Sequence, residues 1–170
     1  QRRHRTWVRD VNVSGSQNVF RQAADNGLTR LVHISSVAVY SGLPESDCPI
    51  LEHQTLSPLP GFAYAEDKVA VEHWLDGFEG THPELALVRL RPHVILGLHA
   101  QPLLLQLLSQ PFCPRTSTAR GQIQCVAELD VAQAVELAVF GAARGAFNIA
   151  AGPPLNLEQM LRLPARSLLV

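Results

Sequence analysis

Helical and strand patterns alternate through the first hundred residues, and that alternation limits what the chain can fold into. Over about residues 10–26, Val13, Phe20, Ala23 and Ala24 recur near helical spacing, and Asn26-Gly27 is a helix stop. Residues 28–36 hold Leu31, Val32 and Ile34 in a short run that reads as a buried strand. Residues 41–61 are rich in Pro, Ser, Gly and acids, which predicts a long loop, and long loops in compact domains are often functional. A second helix is predicted over residues 63–78, with Val71, Trp74, Leu75 and Phe78 on one face and Gly77 and Gly80 marking its end. Residues 85–90 are the next buried strand, broken at Arg91-Pro92. Strand and helix in this order predict an α/β fold with a parallel, doubly wound sheet.

The pattern changes after Gly97. Residues 102–109 read as a short Leu-rich helix and 111–121 as irregular. Residues 123–126 read as a short strand, 130–143 as an Ala/Val-rich helix, and 146–149 as a strand ended by Pro153-Pro154. With 46% hydrophobic and 17% charged residues, the chain can build a core, which excludes wholesale disorder. A net charge of -1 and a pI of about 6.7 give no basic field to hold nucleic acid or an acidic membrane surface. The apolar runs are short, so no segment is expected to span a bilayer, and no apolar stretch follows the basic start to make a signal peptide. Cys48, Cys113 and Cys125 are odd in number and far apart, which points to a reducing, cytoplasmic setting.

Two features carry chemistry. Tyr64 and Lys68 stand four residues apart on the predicted second helix, so both side chains lie on one face. A free phenol has a pKa of about 10, and a nearby ammonium favours the phenolate. Such a tyrosine can exchange a proton with an alcohol or carbonyl. Lys68 is the only lysine, and chance puts one of the two tyrosines four residues before it in about one chain in a hundred. The plainer alternative is a solvated surface pair. Ser35 and Ser36 follow a buried strand, at the carboxyl edge where α/β sheets bind ligands. A hydroxyl there can polarise a substrate oxygen, or simply cap the strand end.

Together these residues resemble one family. Asn12-Val13-x-Gly15-Ser16 leads to Val32-His-Ile-Ser-Ser36-x-x-Val39-Tyr40, then to Tyr64-x-x-x-Lys68, then to Arg89-Leu-Arg-Pro92-x-Val94-x-x-Gly97. The order and spacing look like the extended short-chain dehydrogenase/reductase family, the NAD-dependent epimerase/dehydratase group. Residues 121–134, with Asp130-Val-Ala132, and residues 145–150 resemble that family's return to the core sheet. The resemblance implies that Tyr64 is the catalytic acid/base. Lys68 would favour the phenolate and hold the nicotinamide ribose, and Ser36 would hydrogen-bond the reacting oxygen. Asn12, Ile34 and Ser35 would line the site of NAD or NADP, with Tyr64 and Lys68, while Pro92, His93 and Val94 would approach the nicotinamide. The fold implied is a Rossmann-type sheet over residues 1–98. A substrate-binding portion would occupy 99–170, with about 122–150 returning to the core, and the complete protein would form a homodimer.

Three departures stand out. The family's Gly-x-x-Gly-x-x-Gly turn, which brings backbone to the pyrophosphate, is missing among the 11 glycines. By the family's layout it lies some tens of residues before Gln1, so the chain is expected to be the later part of a longer enzyme, N-terminally truncated. Val37-Ala38 stands where 4,6-dehydratases of the family carry an Asp-Glu pair, which argues against dehydration. Leu129 stands where many relatives have an acid before Asp130. Other constellations are weaker. The seven histidines form no close ligand pair, and no metal is expected. His33 reads as a satisfied core or edge histidine, and His93 as a cofactor-facing or loop histidine. Arg2, Arg3 and Arg5 read as a solvated end rather than a nucleic-acid arm.

The expected function is hydride transfer between nicotinamide and a carbinol or keto carbon of a nucleotide-sugar or small hydroxy compound, by an oxidoreductase or epimerase. The rival readings are a non-catalytic module of the same fold that senses a cofactor or binds a partner, and an inactive fragment. The Tyr64–Lys68 pair favours the enzyme.

Overall fold

The computed structural model describes residues 2–44, 49–97, 122–156 and 159. The chain divides into two compact units, Gln1–Arg91 with Leu137–Asn148, and Pro92–Glu136 with Ile149–Val170.

The first unit opens on a helical rod. Helix α1 (Arg2–Arg9) passes through a π-helical segment, Asp10–Gly15, into α2 (Ser16–Asp25), and the residues at both joints keep helical backbone angles. The rod starts well before residue 10, where apolar periodicity places it. Its first half is held by charge: Arg5 pairs with Glu66 and Asp67, and Arg9 pairs with Asp67. The stop at Asn26-Gly27 is as expected, because Gly27 adopts φ 71 and its N–H and that of Leu28 close the last turn on Ala24 and Ala23.

Strand β1 (Arg30–Ile34) pairs in parallel with β2 (Ala86–Pro92), in register from Arg30 opposite Ala86 to Ile34 opposite Leu90. Strand β5 (Gly145–Ile149) lies on the other side of β2, giving the order β1-β2-β5. All seven residues of central β2 are buried, which accounts for its nearly continuous apolar run. Contrary to the break expected from sequence, the strand does not stop before Arg91-Pro92. It runs through both, and Pro92, as its last residue, leaves no interior ladder bond unmade.

Between β1 and β2 the chain makes a 3-10 turn, Val37–Tyr40, a long loop, and α3 (Ala63–Thr81). Helix α3 continues past Gly77 and Gly80. The Thr81 hydroxyl closes its last turn on the Phe78 carbonyl at 2.9 Å. Phe20 of α2 joins Val71, Leu75 and Phe78 of α3 and Leu85 and Leu87 in one buried cluster. A second cluster, Val39, Tyr40 and Val69, packs with Leu43, Ile50 and Leu56 and anchors the loop on α3.

In the second unit β3 (Val94–Leu96) pairs in parallel with β4 (Gln122–Ala127), and β6 (Ala151–Asn156) pairs antiparallel with β4. Strand β4 leads directly into α4 (Glu128–Phe140), two residues earlier than expected. Pro153-Pro154 does not end a strand but lies within β6, an outer strand of this sheet, where a missing N–H is tolerated. The helix expected at 102–109 and the irregular stretch at 111–121 fall outside the described residues. Among the described residues, no helix is long and apolar enough to cross a membrane.

Candidate active site

Helix α3 presents Tyr64, Lys68 and Glu72 at four-residue intervals, one turn apart on a single face. The Lys68 ammonium donates to the Ile34 carbonyl, the last of β1, at 2.7 Å. It lies 5.8 Å from the centroid of the Tyr64 ring. Tyr64 itself is 45% exposed. Burial pushes the Lys68 pKa down, and the Glu72 carboxylate opposes that shift.

Asn12 reaches this region from the π-helical segment, a widened turn of the kind often found at functional sites. Its amide donates to Asp67 at 3.2 Å. Asp67 is 2% exposed and also accepts from Arg5 at 3.1 Å and Arg9 at 2.9 Å, so three donors satisfy one buried carboxylate. Asn12, Ser16, His33, Tyr64, Asp67 and Lys68 line a cavity of about 260 Å³. A second cavity, of about 400 Å³, shares Asn12, Tyr64 and Asp67 and adds Arg5, Val8 and Ala63.

The two serines differ. The Ser36 hydroxyl accepts from the Ala38 N–H at 3.1 Å and opens the 3-10 turn, so it is a strand-end cap. It keeps its own proton to donate. Ser35 faces the core: its hydroxyl donates to Glu72 at 2.5 Å, and its N–H donates to Leu90 at 2.7 Å. Neither serine lines the cavity beside Tyr64, and Ile34 meets the group through its carbonyl. Pro92, His93 and Val94 belong to the second unit. There the His93 N–H donates to Ile149 at 2.9 Å, burial lowers the His93 pKa, and Val94 pairs with Cys125.

His33 is a core histidine, but not a satisfied one. It is 8% exposed, meets the Phe20 ring edge-on at 5.5 Å, and its Nε2 has no partner among the described residues. Burial, helped by Lys68 and Arg89 and opposed by Glu72, pushes its pKa down to about 4.

Sequence reasoning missed a buried polar network. Glu72 is fully buried and accepts from Arg91 Nε at 3.0 Å and Arg91 Nη2 at 2.5 Å. Arg91 also donates to the Tyr40 hydroxyl and to the Glu52 carbonyl at 3.0 Å. Burial alone raises the Glu72 pKa, but Arg91, Ser35 and Arg89 outweigh it and hold the carboxyl below its usual range. The one available signal was Glu72's place four residues after Lys68. Among the described residues, no group of three or more His, Cys, Asp or Glu is placed to hold a metal ion.

The sequence model of a family described as "NAD dependent epimerase/dehydratase family" matches residues 2–108. An uncharacterised protein of Mycobacterium tuberculosis is 24% identical over 160 residues, which cover 94% of this chain and 43% of that protein. Among solved structures, UDP-glucose 4-epimerase of Thermus thermophilus in complex with NAD superposes with a TM-score of 0.71. It is 24% identical, over 89% of this chain and 52% of that one. RMD of Pseudomonas aeruginosa, complexed with NADPH, gives a TM-score of 0.72 at 20% identity, over 94% and 56% of the two chains. These likenesses confirm a Rossmann-like α/β fold. The chain spans about half the length of the proteins it matches.

Proposed function

The chain belongs to the NAD-dependent epimerase/dehydratase family, and on that premise we propose that it serves an NAD(P)-dependent oxidoreductase or epimerase. The reaction moves a hydride between nicotinamide and a carbinol or keto carbon of a nucleotide-sugar or small hydroxy compound. The observation that carries this reading is the placing of Asn12, Tyr64 and Lys68 around one cavity, with Lys68 fastened to the Ile34 carbonyl.

The donor set suits a ribose. An ammonium has three protons, and the Ile34 carbonyl takes one, which leaves two for a diol. Lys68 and Asn12 would hold the nicotinamide ribose. For the pyrophosphate, the 170 residues offer no Gly-x-x-Gly-x-x-Gly turn. When bound, the nicotinamide supplies the hydride chemistry. Tyr64 gives or takes the proton at the reacting oxygen, and its exposure leaves the hydroxyl accessible. Ser36 donates to the same oxygen. Val37 and Ala38 offer no carboxylate, so the reading does not extend to dehydration.

Residues 1–98 form the cofactor side of this scheme and 99–170 the substrate side, and the pairing of β5 with β2 supports a return of the later segment to the core sheet. The protein works in the cytoplasm as a homodimer without nucleic acid or membrane. Exposed Trp7, Val11 and Val19 on the N-terminal rod support an apolar subunit contact.

The test supplies the full-length protein with NAD or NADP and a panel of UDP-hexoses and small hydroxy compounds, followed by NMR. Appearance of an epimer, or of a keto product with matching nicotinamide reduction, is expected. Dinucleotide binding without turnover of any member would favour the partner-binding alternative.

A further inference from the structure

The Tyr64–Lys68 face of α3 does not end at Lys68. One turn further on, Glu72 is sealed in the core, and its bonds run back to the strand that meets Lys68. Lys68 donates to the carbonyl of Ile34, and Glu72 accepts from the hydroxyl of Ser35, the next residue. Two successive turns of α3 are thus stitched to two successive residues at the end of β1. Turning α3 by one residue, about 100°, would break both bonds together. The position of the Tyr64 ring relative to the strand end follows from this double tie.

Stability alone does not call for a carboxylate at this place. Replacing a buried ion pair by apolar residues of similar size is often neutral or stabilising. Leu75 and Val71 pack on the same helix without any polar group. What sets Glu72 apart from these neighbours is the pair of bonds that it makes to Ser35 and Arg91.

We propose that Glu72 is a positioning residue for the Tyr64–Lys68 pair, fixing the register of α3 through Ser35 and setting a negative charge one helical turn from the Lys68 ammonium. This rests on the proton-transfer role assigned to the pair above. The groups around the two side chains are His33 on β1, Arg89 and Arg91 on β2, and Tyr40 in the 3-10 turn. Asp67 lies on α3 itself, bonded to Asn12 of the π-helical segment, and the Glu52 carbonyl lies in the loop. Burial lowers the Lys68 pKa and Glu72 opposes it. Arg91 then has a clear part: its guanidinium, bonded to Glu72, offsets the burial that pushes the carboxyl's pKa up.

Lys68 is the only lysine in the chain, so it can be watched directly. The chain is labelled with ¹³C,¹⁵N-lysine, and the Lys68 side-chain resonance is titrated against pH in the unsubstituted protein, in Glu72→Gln, and in Glu72→Gln with Arg91→Gln. The double substitution removes both charges of the pair, so no bare guanidinium is left to unfold the core. The Lys68 midpoint is expected to fall in Glu72→Gln and in the double variant, and to hold in Ser35→Ala, which loses the tie but keeps the charge. An unmoved Lys68 midpoint in either folded Glu72 variant overturns the proposal. The titration needs neither cofactor nor turnover. An unsubstituted protein without activity would therefore count against the proposed function and leave this result standing.

Discussion

The ammonium of Lys68 lies 2.7 Å from the carbonyl oxygen of Ile34, so the helix that carries Tyr64 is fastened to the strand end that precedes Ser35 and Ser36. The same side chain lines the cavity beside Tyr64. Lys68→Met keeps the aliphatic stem and removes the donor. It is expected to cost about 1.5 kcal/mol of stability, the scale of a hydrogen bond to a charged group, and to lower turnover of the full-length enzyme at least about a hundredfold. Urea unfolding and kcat measure the two effects. A loss of stability with normal turnover would make Lys68 a structural tie alone.

Ser36→Ala removes the cap on the Ala38 N–H. A lost cap costs about 1 kcal/mol. If Ser36 also donates to the reacting oxygen, kcat falls by more than that destabilisation explains, and Ser36→Thr restores both. Paired melts and single-turnover rates separate the two roles.

Buried His33 makes stability depend on pH. Its folded-state pKa is about 4 against 6.5 for the free side chain. Between these values the unfolded chain takes up a proton that the folded protein refuses, so stability falls as pH drops through this window and rises as pH returns. At about 1.4 kcal/mol per unit, the contribution lost by pH 4 is about 3 kcal/mol. Chemical unfolding at pH 7.5, 5.5 and 4.5 should show the decline, and His33→Phe should flatten it.

What could be read from sequence, and what could not, divides by the kind of force involved. The face of α3 and the buried run of β2 are apolar patterns, and Val71, Leu75, Leu87 and Val88 announce them. The first half of the N-terminal rod is held by Arg5 and Arg9 on Asp67, more than fifty residues away, and ion pairs leave no periodic mark. Pro92 and Pro153-Pro154 were read as stops because an interior strand cannot hold them, whereas a strand's last residue and an outer strand can. In the site, Tyr64 and Lys68 were legible from spacing. Glu72 and Arg91 were not, because each is buried only by virtue of the other, nineteen residues apart. Ser35 likewise reads as a ligand-facing strand end until Glu72 is seen beneath it.

Gly42 marks a close backbone approach in the loop. Its N–H donates to Ser57 at 2.7 Å, and a Cβ there would lie 2.9 Å from the Pro58 carbonyl oxygen. Both obstacles are backbone atoms, so they cannot swing aside. Gly42→Ala is expected to destabilise the protein by about 1–3 kcal/mol, as overpacking does. Faster proteolysis between residues 41 and 61 than elsewhere would locate the damage, and an unchanged melting temperature would refute the prediction.

The central claim is that Tyr64 moves the proton. Tyr64→Phe keeps the ring beside Lys68 and deletes only the hydroxyl. The decisive measurement is kcat together with the dinucleotide Kd of this variant in the full-length protein. A fall in kcat of about a hundredfold to ten-thousandfold with an unchanged Kd is the predicted result. A kcat within a few fold of the unsubstituted enzyme would contradict it.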